Sequence, residues 1–125
     1  MLAADTNVLV RLITRDDEAQ YQKALRLGMV WVSHVVLLET VWVLESAYGF
    51  DPARVFEAVD GLLHQQNVVL EKPFVVQAVL RLLLSENLDL DFADVLILET
   101  AREANRLPLA TFDKALGKLE GVEKL

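Results

Sequence analysis

Cysteine is absent from this 125-residue chain, which excludes disulfides, a thiolate nucleophile and thiolate-bound zinc, and makes a reducing compartment, the cytoplasm, the expected setting. Long apolar runs are lacking too. The nearest, Met29 to Leu38, is interrupted by Ser33 and His34 and stopped by Glu39, well short of a bilayer span, so no membrane association is expected. Asp5 falls where a signal peptide needs its apolar core, and no basic segment precedes it. The 5 glycines make no phosphate-cradling loop, which argues against nucleotide-driven activity. Positive charge is scarce: 12 Lys and Arg against 19 Asp and Glu leave a net charge of -7. That balance argues against a general nucleic-acid binder. It leaves a metal-dependent nuclease open, because acids gathered around cations repel phosphate less than net charge implies.

What is present suffices for one domain without a linker, since 54% of residues are hydrophobic. Leu2-Ala3-Ala4-Asp5-Thr6-Asn7-Val8-Leu9-Val10 reads as a short buried strand delivering Asp5 to a helix start. Helices are expected over Val8–Ile13, over Asp16–Leu27 ended by Gly28, and over His34–Tyr48 between a Ser33 cap and Gly49. Asp51-Pro52 opens another to about Gln65, Pro73 one to about Glu86, and Asp91 one through Arg106. A last helix spans Asp113–Leu119. Short strands are expected at Met29–Val32, Asn67–Glu71, Leu107–Ala110 and Val122–Lys124. This alternation argues for an α/β fold with a parallel sheet.

Four acids carry the chemistry. Asp5 stands at the carboxyl end of a strand, where open α/β sheets bind ligands and metals, although a helix cap is the simpler account of Asp5 by itself. Glu39 has Val35, Val36, Trp42 and Val43 as its helical neighbours and no Lys or Arg in reach along its helix. A carboxylate on such a face is costly to bury unless paired, protonated or metal-bound; the alternative is that this face is open to solvent. Asp94 follows Asp91, the expected N-cap, in the first turn of its helix, and the macrodipole alone accounts for acids there. Asp113 repeats the setting of Asp5, after Thr111-Phe112. If the four converge to about 5 Å, each like-charge pair costs roughly 3 kcal/mol at an effective dielectric near 20. Six such pairs rival the ~5–15 kcal/mol that stabilises a whole domain, so the cluster must take up protons or cations. All-oxygen ligands suit Mg²⁺ or Mn²⁺.

In order and spacing, Asp5-Thr6-Asn7, Glu39, Phe92-Ala93-Asp94 and Thr111-Phe112-Asp113 resemble the PIN-domain ribonucleases, and the whole chain is most similar to the VapC toxins of toxin-antitoxin pairs. The resemblance implies a three-layer α/β/α PIN-like fold with a short central parallel sheet, residues 1–125 forming a single PIN domain. It also implies a Mg²⁺- or Mn²⁺-dependent endoribonuclease acting on single-stranded or looped RNA, a homodimer, and a cognate antitoxin protein as partner. Asp5 and Asp94 would be the main metal ligands, Glu39 and Asp113 would complete the pocket, and Thr6, Asn7 and Thr111 would hold the acids in place. Ala115 stands where some relatives carry a further acid, which bears on a second metal site.

Two ions roughly 4 Å apart can activate water and stabilise the leaving oxygen, so no general-base histidine is needed. His34 starts a helix and His64 ends one, poor settings for that role. Arg11, Arg15, Arg102, Arg106, Lys114 and Lys118 fall near the acids in sequence and could form a basic rim. A haloacid-dehalogenase-like phosphatase is the competing enzyme, but its second Asp is replaced by Asn7. A non-catalytic PIN-like scaffold binding RNA or protein is the other alternative; it gains nothing from clustered acids. Trp31, Trp42 and Tyr48 are expected in the core, an oligomer or antitoxin surface being the alternative. Pro73 to Leu84, apolar nearly all round, suggests burial from both sides, as a dimer interface would supply.

Overall fold

In the first half of the chain each strand runs quickly into a helix whose start is marked by a capping side chain. The computed structural model describes residues 1–85 and 90–125. Strand β1 (Leu2–Ala3) leads into α1 (Thr6–Thr14), and α2 (Glu18–Leu25) follows. Strand β2 (Val30–Val32) leads into α3 (His34–Tyr48); α4 (Pro52–His64) and β3 (Val68–Leu70) come next. The caps are local chemistry. Ser33 Oγ accepts the Val36 N–H at 3.1 Å, and Gly49 closes α3 at a left-handed φ of 67°. Asp51 accepts the Arg54 N–H at 2.9 Å ahead of Pro52, whose ring fits the first helical position.

These elements make up one unit, Met1–Pro73. Its sheet has the order β1-β2-β3, all parallel, with Leu2 opposite Val30 and Trp31 opposite Val69. Val30, Val32, Val68 and Leu70 are buried while Trp31 and Val69 between them are half-buried, the pattern of strands covered on both faces; β1, expected to be buried, is an exposed edge strand at Leu2 and Ala3. Helix α1 packs on α2 and α3, and α4 on β3.

Helix α1 is longer than the expected Val8–Ile13, and α2 is shorter than the expected Asp16–Leu27 at both ends. The cap of α2 is Asp17, which accepts the Gln20 N–H at 3.0 Å, and Asp16 is drawn elsewhere. Its carboxylate accepts from Thr14 Oγ1 at 2.9 Å, Tyr48 Oη at 2.6 Å and Arg11 Nη1 at 3.3 Å. These bonds hold the Asp16 carboxyl below the usual carboxylate range, the Tyr48 hydroxyl contributing most. Two of the aromatics expected in the core have another setting: Trp42 is 65% exposed, and Tyr48 is half-buried with its hydroxyl on Asp16.

The second unit, Phe74–Leu125, takes nearly all of α5 (Pro73–Ser85), then α6 (Phe92–Glu103), β4 (Leu109–Thr111) and β5 (Val122–Lys124), the last two paired in parallel. The expected end of α5 near Glu86 lies outside the described residues. Helix α5 buries Val75, Val76, Val79 and Leu80 but exposes Gln77 and Arg81 as well as Phe74 and Leu84, so it is two-faced, not apolar all round. Helix α6 stops three residues before the expected Arg106 because Asn105 turns left-handed at φ 58° and the Arg106 N–H folds back to Ala101 O at 2.9 Å. Leu98, Leu116 and Leu119 form this unit's buried cluster, with Leu82, Leu90, Leu109 and Val122 packed on it.

The helix expected over Asp113–Leu119 is reduced to one 3-10 turn, Leu116–Lys118. Gly117 is pressed against β5: a Cβ there would stand 2.9 Å from Lys124 Cβ. Gly61, inside α4, faces open space at an ordinary helical φ. The two glycines should therefore respond oppositely to alanine. Gly117→Ala is expected to lower stability by about 1–3 kcal/mol through overpacking. Gly61→Ala is expected to raise it by about 0.5–1 kcal/mol through helix propensity and unfolded-state entropy. Chemical denaturation of both variants measures the pair, and a gain at Gly117 would contradict the close approach.

Candidate active site

Parallel strands end at one edge, so the turns after β1 and β2 start α1 and α3 side by side. Asp5 follows β1, is exposed, and caps α1 by accepting the Thr6 N–H at 2.7 Å. Thr6 is buried, and its hydroxyl donates a short hydrogen bond to Glu39 Oε1 on α3. Asp5 and Glu39 are thus tied to one residue, Asp5 through the Thr6 backbone N–H and Glu39 through the Thr6 hydroxyl. Asn7, also exposed, borders a cavity between α1 and α2.

Glu39 does not bear the burial expected of it. The residue is exposed, and so are its neighbours Val35, at 77%, and Trp42, at 65%. The cost of burying a charge gives no reason for this acid to be there. What remains is a carboxylate set in an exposed apolar surface and oriented by a threonine hydroxyl.

In the second unit Asp94 lies in the first turn of α6 and is half-buried. Burial, then the negative charges of Asp91 and Asp113, push its carboxyl above the usual range. Asp91 occupies the N-cap position but makes no side-chain cap bond, so it adds charge to this turn without satisfying a backbone donor. Asp113, after β4, accepts the Leu116 N–H at 2.8 Å, and its own N–H donates to Thr111 Oγ1 at 3.0 Å. Each unit thus contributes a pair of the sequence-predicted acids, Asp5 with Glu39 and Asp94 with Asp113.

Three of the six residues of the expected basic rim are occupied by ion pairs. Arg11 pairs with Asp16 at 3.3 Å, Arg15 with Glu18 at 2.9 Å, and Arg102 with the buried Glu99 at 3.0 Å. The Arg15 guanidinium holds the Glu18 carboxyl down to about 2. His64 places Nδ1 2.8 Å from Asp60 O within α4, while His34 Nε2 is buried without a hydrogen-bond partner among the described residues. Sequence reasoning missed the Arg11–Asp16–Tyr48 network and the cavity beside it. Asn7 and Arg11, four residues apart on α1, share one helix face, and that spacing was the available signal.

Residues 3–122 match the family model of the PIN domain, a span that runs through both units. The chain belongs to the PIN domain family. Comparison with curated proteins finds no match. PIN membership carries the three-layer α/β/α fold class, of which the described elements are six α-helices and short parallel strands. PIN domains are generally metal-dependent nucleases that hydrolyse phosphodiesters. Among the described residues no group of three or more Asp, Glu or His side chains could hold a metal ion. In donor chemistry the predicted residues do fit a hard divalent cation, being carboxylates and hydroxyls, and Asp94 sits where added positive charge would relieve its neighbours' repulsion.

That repulsion has a sign that can be measured. A carboxyl whose pKa is higher folded than unfolded supports the native state only while protonated. Its contribution is full below the unfolded value of about 3.9 and is lost as pH rises through the folded value. Asp94→Asn, which stays neutral, is therefore expected to melt above the native chain in metal-free buffer at neutral pH, the gap narrowing below about pH 4. Thermal scans across pH check this. A native chain that melts higher at neutral pH would contradict it.

Proposed function

We propose that this PIN domain is a Mg²⁺- or Mn²⁺-dependent endoribonuclease, the toxin of a toxin-antitoxin pair. The family match supports the nuclease reading, and the observation that carries it to these residues is the retention of Asp5, Glu39, Asp94 and Asp113 at strand ends and in first or second helical turns. By the family resemblance, Asp5 and Asp94, with Glu39 and Asp113, are the carboxylates that would hold the cation. Bound divalent cations supply an activated water and charge stabilisation for the leaving oxygen of a phosphodiester.

The chain's own groups do the positioning. The Thr6 hydroxyl donates to Glu39 and leaves that acid's other oxygen free to face a ligand; Thr111 accepts the Asp113 N–H and fixes the turn that presents its carboxylate. The proton that Asp94 tends to keep must leave before it ligates, so cation affinity falls as pH falls. The phosphatase alternative loses its ground, because Asn7 stands where its second Asp is required and the family is PIN. The non-catalytic scaffold remains the reading to beat.

Exposed Phe74 and Leu84 on α5, with Val35 and Trp42 on α3, are large apolar side chains of the kind that mark protein interfaces, and they support a homodimer and an antitoxin contact. Light scattering at micromolar concentration is expected to give the mass of a dimer; a monomer would remove that part of the proposal. For the activity, purified protein with Mn²⁺ is expected to cut total cellular RNA into discrete products, and chelator to abolish cutting. Asp94→Asn is expected to reduce the rate at least about 100-fold by removing a metal ligand. Equal cutting by the variant would point to a contaminant, and no cutting by the native chain would favour the scaffold.

A further inference from the structure

A cavity of about 260 Å³ lies between α1 and α2 in the first unit, with Val8, Ala24 and Leu27 forming its apolar wall and Asn7, Arg11 and Lys23 its polar border. It starts two residues after Asp5, on the first turn of the same helix. None of the roles assigned above uses it.

Arg11 is the most constrained residue there. Its Nε donates to Gln20 Oε1 at 2.6 Å, and its Nη1 donates to Asp16 Oδ1 at 3.3 Å and to Tyr48 Oη at 3.2 Å. These bonds fix the guanidinium plane and offset part of its charge, while its Nη2 has no acceptor among the described residues. Asn7 and Lys23 are exposed, and neither side chain makes a hydrogen bond to the described residues. A fixed guanidinium plane, an apolar wall, a free carboxamide and a free ammonium are the groups that recognise a nucleotide. Bases stack on arginine planes, an amide carries both a donor and an acceptor for a base edge, and an ammonium takes phosphate as a point charge.

We propose that this cavity receives one nucleobase of the RNA strand beside the cleavage point, stacked over Arg11 and hydrogen-bonded by Asn7, with the adjoining phosphate on Lys23. The proposal rests on the ribonuclease reading and adds to it a base-binding subsite. Size favours a single base: about 260 Å³ is just under the ~300–1,000 Å³ of sites that enclose drug-sized ligands. Charge favours it as well. On a chain of net charge -7, Lys23 is a cation at the cavity that no ion pair within the described residues occupies. A protein segment is the other macromolecule that could lie here, but it would not need a phosphate contact.

The test is a titration followed by the backbone amide NMR signals of Asn7, Lys23, Ala24 and Leu27. Adenosine and uridine 5′-monophosphates are the probes and ribose 5-phosphate is the control. Saturable shifts confined to these residues are expected from the nucleotides, with much weaker ones from the sugar phosphate. Lys23→Glu, at an exposed position, should weaken nucleotide binding about fivefold, the size of one solvent-screened charge contact. Ala24→Leu, which fills the cavity, should remove the shifts; if it unfolds the chain, Lys23→Glu alone decides. Equal shifts from ribose 5-phosphate would mean an anion site only and overturn the base pocket, as would the absence of shifts or indifference to Lys23→Glu. RNA cutting separates this from the parent reading. If nucleotides bind here but the native chain cuts nothing, the ribonuclease reading falls and the nucleotide site stands. If native protein and Lys23→Glu cut the same positions at the same rate, the subsite falls and the nuclease stands.

Discussion

Parallel pairing of β1, β2 and β3 is the constraint from which the first unit follows. Parallel strands all finish at one edge, so each connection must cross back over the sheet and the helices that begin at that edge begin as neighbours. With Ala3 opposite Trp31, the turn after β1 and the turn after β2 lie together, and α1 packs on α3. Only then can a hydroxyl at the start of α1 reach a carboxylate in the second turn of α3. The Thr6–Glu39 bond is a consequence of strand direction, and an antiparallel β1 would have put Asp5 at the other end of the sheet.

The distribution of charge follows a different logic from its total. Arginines that stand near acids in sequence are mostly spent on close partners: Arg11 on Asp16, Arg15 on Glu18, Arg102 on Glu99. Among the described residues the predicted site acids have no such partners. Asp94 instead is half-buried and meets more negative charge, from Asp91 and Asp113, and holds its proton more tightly through burial first and that charge second. Local electrostatics here works against the fold, a conflict often found where a protein binds a ligand. On the proposed reading, attraction for a polyanionic substrate would come from cations held by the acids, not from a basic surface.

Glu39 shows why exposure matters to the argument. A buried carboxylate among Val35, Val36, Trp42 and Val43 would by itself demand a cation or a proton. In the structure Val35, Trp42 and Glu39 are all exposed, so the unusual object is the apolar surface and not the acid. That exchange moves α3 from evidence about metal chemistry to evidence about a protein interface, while leaving Glu39 where Thr6 can orient it.

The amino-acid sequence by itself determined the features whose causes are local. Ser33 and Gly49 bound α3 as expected, and Asp51-Pro52 opens α4, because a cap involves only residues within one turn of it. The α/β class and the order of the predicted site acids were likewise readable, being matters of alternation and spacing along the chain. Tertiary structure decided what depends on a distant partner. Asp17 and not Asp16 caps α2, because Tyr48, 32 residues away, takes the Asp16 carboxylate. The last expected helix is a single turn, and its Gly117 lies against Lys124 of β5, a neighbour seven residues on. Glu39 and Trp42 are exposed, and the cavity beside Asn7 exists, because of where α1, α2 and α3 come to rest. Sequence periodicity says which side chains share a face; only the packed elements say what that face meets.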